Sequence, residues 1–289
     1  QASLLGAALL SVMALSSGVA QAACPSPFSS STCATGGSAV DVCQLDAGGT
    51  TWTCDLNRAG GTAGNGVATV VYDPATYGYD AWGQDIAGNQ FCCVEPQGSI
   101  DTVVLDGGPG QDDLSFTEGT FPGARNLRGP IGTTIDAECN GGDGNDLIDG
   151  SDYLTLINET LNGGGHDDVI VGLGNDDVIN GGEGDDQIEG GAGNDTLNGD
   201  NGADEIKGGS GDDTISGGAG ADDLCGDGGA DDLSGDGGDD YLDAGPAAPD
   251  DLDGGAQPTN DYCTTVGVGG SRSDCEAYFF PTGGGTCFF

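Results

Sequence analysis

Gly181-Gly182-Glu183-Gly184-Asp185-Asp186-Gln187-Ile188-Glu189 is followed at once by Gly190-Gly191-Ala192-Gly193-Asn194-Asp195-Thr196-Leu197-Asn198. The two stretches are one nine-residue unit written twice. Working outward, the register holds from Gly163 to Asp243. Gly opens every unit, at Gly163, Gly172, Gly181, Gly190, Gly199, Gly208, Gly217, Gly226 and Gly235. The sixth place is always Asp: Asp168, Asp177, Asp186, Asp195, Asp204, Asp213, Asp222, Asp231 and Asp240. The eighth is always Ile or Leu: Ile170, Ile179, Ile188, Leu197, Ile206, Ile215, Leu224, Leu233 and Leu242. Three residue types kept in phase over this length mark a repeat architecture.

The pattern G-G-x-G-x-D-x-U-x resembles the RTX (haemolysin-type) nonapeptide. The units opened by Gly181, Gly190, Gly208 and Gly217 match it at every fixed position, and isolated units stand earlier at Gly107–Ser115 and Gly141–Asp149. The resemblance implies an all-β parallel β-roll with two nonapeptides per coil and calcium held between a turn and the next turn on the same side. One stack of ligands would then run Asp168, Asp186, Asp204, Asp222, Asp240, and the other Asp177, Asp195, Asp213, Asp231. About seven ions would fill the gaps of the regular array. Asp112 and Asp146 are candidate ligands in the earlier units, and Gly181, Gly190, Gly208 and Gly217 are assigned to the site beside the aspartates.

The residue types suit that chemistry. Calcium takes six to eight oxygens from carboxylates and carbonyls in a tolerant geometry. Gly at places one, two and four permits positive φ and lets the backbone curl its carbonyls inward, and Asp at place six adds a short, stiff carboxylate. The last three residues are expected to form a brief strand with the Ile or Leu turned inward. His166 and Asn175 depart from Gly at place four, and Leu173, Asp200, Asp227 and Asp236 depart from it at place two.

Composition points the same way. The chain has 289 residues with 48 Asp or Glu against 5 Lys or Arg, a formal charge of −43. That excludes an ordinary binder of nucleic acid or of anionic membrane, each of which needs basic surface. Acidic, Gly-rich chains tend to stay disordered, and nine inward Ile or Leu side chains fall far short of the entropy cost of ordering the array. The expectation is an array that is disordered without cations and folds on binding calcium.

Residues 1–22 read as a secretory signal peptide: Leu4 to Ala20 is apolar and uncharged, and Ala20-Gln21-Ala22 is an A-x-A type cleavage site. The expected location is extracellular or cell-surface, with no membrane insertion of the mature chain. In that compartment the 11 Cys read first as disulfides. A single His and the absence of paired C-x-x-C spacings argue against zinc. Residues 23–98, which hold both Trp52 and Trp82, read as a small disulfide-bonded β domain. Residues 99–162 read as degenerate repeats with loops, 163–243 as the regular roll, and 244–289 as a degenerate repeat and a Cys- and Phe-rich cap.

Catalysis finds no support. The one His, His166, lies inside the array, so neither H-E-x-x-H nor a Ser-His-Asp triad can be assembled elsewhere, and no Ser has Gly at both −2 and +2. No catalytic residue is assigned. The expected function is calcium binding by an exported structural, surface or matrix protein. The alternatives are a module that binds cell-surface glycan through the N-terminal region and, behind it, a secreted hydrolase. Outward positions such as Val169, Gln187, Glu205 and Asp223 are read as forming no flat rank of Thr or Asn.

Overall fold

A computed structural model describes residues 43–45, 51–55, 67–73, 78–84, 90–94, 102–116, 135–151, 157–245, 249–255, 261–264 and 270–275. The signal peptide expected at 1–22 and the aromatic tail lie outside the described residues. Among those residues the chain is all strand and turn, in two 11-stranded sheets that form a parallel β-roll, joined at the N-terminal end by antiparallel pairs of Cys43–Leu45 with Thr51–Asp55 and of Gly78–Gln84 with Val67–Asp73 and Gln90–Val94. Strands alternate between the sheets: Val178–Glu183 lies in the first, Gln187–Ala192 in the second, Thr196–Asn201 in the first again. Each pairs in parallel with the strand 18 residues on, as in Ile188↔Ile206 and Ile179↔Leu197. Two nonapeptides therefore make one coil.

The core is a pair of ladders made by the eighth residue of each unit. In the first sheet it runs Leu105, Cys139, Leu161, Ile179, Leu197, Ile215, Leu233, Leu252, and in the second Leu114, Ile148, Ile170, Ile188, Ile206, Leu224, Leu242, Cys263. None of these side chains is more than 4% exposed. The interior is one residue wide on each side, so stacking, rather than local periodicity, buries the chain.

Two details differ from the sequence reading. The strands are six residues long rather than three, because they continue through the first three places of the next unit, as in Gln187–Ala192. Positive φ is confined to the second and fourth places, for example Gly182 (117°) and Gly184 (135°). Gly at the first place is not in that conformation. It is needed because a Cβ at Gly163, Gly181 or Gly199 would come within 3.0 Å of both the Asp carboxylate of its own unit and the carbonyl of the equivalent Gly one coil on. The departures at the other two places carry the strain themselves: Leu173 (75°), His166 (80°), Asn175 (93°), Asp200 (70°), Asp227 (64°) and Asp236 (64°).

The outer face of the first sheet also corrects an expectation. The outward positions considered from sequence all belong to the second sheet. On the first, Thr160, Val178, Thr196 and Thr214 align in register, beside Asn140, Asn162, Asn180, Asn198, Ser216 and Ser234. The Asn side chains form a ladder in which Asn180 donates to Asn162 and Asn162 to Asn140, each at 2.8 Å. A rank of Thr and Asn does exist, on the face that the alternation of sheets hides from a reading along one of them.

At the N-terminal end Thr51–Asp55 pairs with Thr102–Pro109 and Val67–Asp73 with Asp113–Ser115, so both sheets extend into that region. At the other end the Cys263–Cys275 disulfide (Cα–Cα 5.8 Å) ties the end of one ladder to the segment after the last strand, Ser271–Ser273. Cys54 and Cys225 are disulfide-bonded as well. Cys139 is a free, buried thiol, as the odd number of Cys allows: it fills an Ile or Leu place in the ladder.

Leu173 is both at positive φ and 37% exposed. An L side chain in that conformation costs about 1–2 kcal/mol. Leu173→Gly is therefore expected to stabilise the folded roll by about 1 kcal/mol, seen as a higher melting temperature in calcium.

Candidate metal centre

The sixth-place aspartates are brought together in two columns, one on each edge of the roll. Along one edge the N–H of Asp112 donates to Asp146 Oδ1, Asp146 to Asp168, Asp168 to Asp186, Asp186 to Asp204, Asp204 to Asp222, Asp222 to Asp240 and Asp240 to Asp261, at 2.7–3.0 Å. Along the other, Asp177 donates to Asp195, Asp195 to Asp213, Asp213 to Asp231 and Asp231 to Asp250, at 2.9–3.1 Å. Every aspartate expected as a ligand, Asp112 and Asp146 included, stands in one of these columns and is at most 3% exposed.

One carboxylate oxygen is thus used as structure. The other is not: Oδ2 of Asp146, Asp168, Asp186, Asp195, Asp204, Asp213, Asp222, Asp231 and Asp240 is buried with no hydrogen-bond partner. These oxygens project into the space that the missing Cβ of the first-place Gly leaves open. Beside Gly163, for instance, that space is shared by Asp168 Oδ2 and the carbonyl of Gly181, and beside Gly190 by Asp195 Oδ2 and the carbonyl of Gly208. The carbonyls of Gly181, Gly190, Gly208 and Gly217 each face such a space.

A buried carboxylate oxygen without a donor is costly, and here it recurs at every turn. Burial is the main cause of a consistent upward shift in pKa, opposed by the backbone N–H and reinforced by neighbouring carboxylates. Asp168 is raised to about 8, Asp213 and Asp222 to about 7, and Asp186, Asp195, Asp231 and Asp240 to about 6. Asp177 reaches about 9, by burial first and then by the charge of Glu159.

The donor set fits a hard divalent cation. It is all oxygen, it mixes carboxylate with carbonyl, and it repeats once per turn. Among the described residues no three His, Cys, Asp or Glu side chains cluster as in a side-chain-only metal site; here each space pairs a side-chain carboxylate with a main-chain carbonyl. When bound, calcium would supply the positive charge that the orphaned oxygens lack. His166 serves as a turn residue, with Nδ1 at 2.8 Å from the Gly165 carbonyl.

Sequence reasoning missed three column members, Glu159, Asp250 and Asp261, each at most 1% exposed. All three belong to units whose turns carry insertions, so counting in nines passes over them. Their local signal is an acid two residues before a ladder residue: Glu159 before Leu161, Asp250 before Leu252, Asp261 before Cys263.

The raised pKa values fix the sign of the pH dependence. The metal-free roll binds more protons than the unfolded chain from just above the ordinary Asp value of 3.8 up to the folded values of about 6–9. Its stability is therefore highest at the acid end and falls as pH rises through that window. In chelator, acidification from about pH 8 to pH 5 is expected to increase the β signal in far-UV circular dichroism. In calcium the same protons compete for the ligands, so affinity is expected to fall over this range and binding to release protons.

No curated protein matches the chain. Residues 162–197 and 198–233 match the family model described as RTX calcium-binding nonapeptide repeat (4 copies). With two buried Asp columns, orphaned oxygens facing main-chain carbonyls, and parallel coils of two nonapeptides, the array over residues 162–233 is a run of RTX calcium-binding repeats.

Proposed function

We propose that this chain is an exported structural protein whose roll is a calcium-dependent rigid spacer. The observation that carries the reading is the recurrence of a buried, unpartnered Asp Oδ2 at successive turns along both edges. A fold that repeats an uncompensated charge at neutral pH calls for a cation at successive turns. Extracellular fluids commonly hold millimolar calcium, so the roll would stay open during export and close afterwards. The signal-like segment at 1–22 supports the exported location, and the formal charge of −43 supports a protein kept apart from anionic surfaces until cations are bound. Calcium would occupy the spaces between successive turns, about seven ions in the regular array. Nothing in the sequence supports catalysis.

Asp204 lies mid-column, with its Oδ1 taking the Asp186 N–H and its own N–H given to Asp222. Asp204→Asn keeps shape and removes the charge. It is expected to raise the calcium concentration needed for half-maximal folding by roughly tenfold or more, because ligand charge sets affinity at such sites. An unchanged calcium midpoint would contradict the spacer reading.

A second reading, contact with cell-surface or matrix glycan, is favoured by the files of Thr, Asn and Ser on the outer face of the first sheet, which the exposed Asp200 and Asp236 flank. Thr, Val, Asn and Ser occupy the two outward files that run from Thr160 to Thr214 and from Asn162 to Ser216. A regular rank of hydroxyls and amides suits a repetitive, neutral, polar ligand. Retention on insoluble polysaccharide that is lost in Thr196→Asp would support this role, while retention unaffected by that change would place any binding elsewhere, including the region of Trp52 and Trp82.

A further inference from the structure

One coil departs from the nonapeptide without losing its geometry. Gly150 and Ser151 open a unit that residues 152–158 lengthen, and Glu159 then arrives where the sixth-place Asp belongs. The register shows this directly. Glu159 precedes Thr160 and Leu161, which pair with Val178 and Ile179, so Glu159 stands one coil before Asp177. On the other side Glu159 pairs with Ala137, which has no carboxylate, so Glu159 is the first acid of its column.

Its surroundings reproduce those of a regular turn. A Cβ on Gly150 would meet Glu159 Oε2 and, at 2.5 Å, the carbonyl of Gly172, just as one on Gly172 would meet Asp177 Oδ2 (2.7 Å) and the carbonyl of Gly190 (2.6 Å). Glu159 Oε2 accepts the Ser151 N–H at 2.9 Å, and Oε1 has no partner. Asp177 Oδ2 is likewise without a partner, the Glu159 N–H is directed at the Asp177 carboxylate, and the charge of Glu159 acts on it. Glu159 is fully buried and Asp177 is 1% exposed. Two buried carboxylates on successive turns of one column thus each carry an orphaned oxygen, and the Gly172 carbonyl lies beside the first of them.

We propose that Glu159, Asp177 and the Gly172 carbonyl hold a further calcium ion, at a site outside the nonapeptide pattern, which fastens the coil bearing residues 152–158 to the regular array. This rests on the reading of the columns as calcium ligands. A site at this junction would let the earlier units, with Asp112 and Asp146, fold as one body with the array.

The test uses the full chain in saturating calcium. Glu159→Gln keeps the side chain's size and removes its charge, so the sign of its effect discriminates. With an ion in place, the variant is expected to bind one calcium fewer than the unaltered chain by equilibrium dialysis and to melt at a lower temperature. Without one, Gln relieves a buried unpaired charge, and the variant binds the same number and melts higher; that result overturns the proposal. A measurement on the unaltered chain keeps the test open should the variant fail to fold. Hydrogen exchange at Ser151 and Thr160 is expected to slow as calcium is added, and protection there that ignores calcium contradicts the site. If the unaltered chain binds no calcium at all, the calcium reading of the whole roll fails; if it binds but Glu159→Gln loses none, only this site does.

Discussion

A carboxylate buried at successive turns, with one oxygen tied to the coil before it and the other left open, is the constraint on which the structure depends. The tied oxygen sets the register: Asp186 Oδ1 accepts the Asp168 N–H and thereby aligns two turns 18 residues apart. The open oxygen sets the need for a cation. The same side chain thus does the stacking and creates the electrostatic problem that the ligand resolves. The first-place Gly follows from this, because any Cβ there would occupy the space that the open oxygen and the neighbouring carbonyl share.

The hydrophobic ladders are necessary but thin. Each coil contributes two inward residues, such as Ile188 and Leu197, and the rest of its surface is polar or glycine. Such a core gives direction to the stack without compensating the entropy of so glycine-rich a chain. Lys207, at 3.0 Å from Asp227, offsets one surface charge and leaves the columns untouched. Cation binding and coil stacking are in this sense one transition: the ligands converge only when the coils are stacked, and the coils stack only when the ligands are neutralised.

Much of this was legible in the sequence because the repeat is strict where the physics is strict. Asp at place six and Ile or Leu at place eight never vary over the array, and both ladders and both columns of the roll follow from them. What was not legible lies where three-dimensional register departs from counting. Glu159, Asp250 and Asp261 come back into line after insertions, and only strand pairing shows that they do. The Thr and Asn ranks required knowing that alternate units face opposite ways. The odd Cys count pointed to an unpaired thiol without saying which, and the register shows that Cys139 is one more apolar rung between Leu105 and Leu161. The role of the first-place Gly was misread as backbone freedom, when the reason is lack of room.

The most direct test of the account is far-UV circular dichroism of the full chain, first in chelator and then as calcium is added. The account requires a weak, largely disordered spectrum near neutral pH without calcium, a cooperative rise of β signal on titration, and its reversal by chelator. A β spectrum that is already complete in chelator at that pH, and unchanged by calcium, would contradict it, since the buried carboxylates would then be accommodated without a cation.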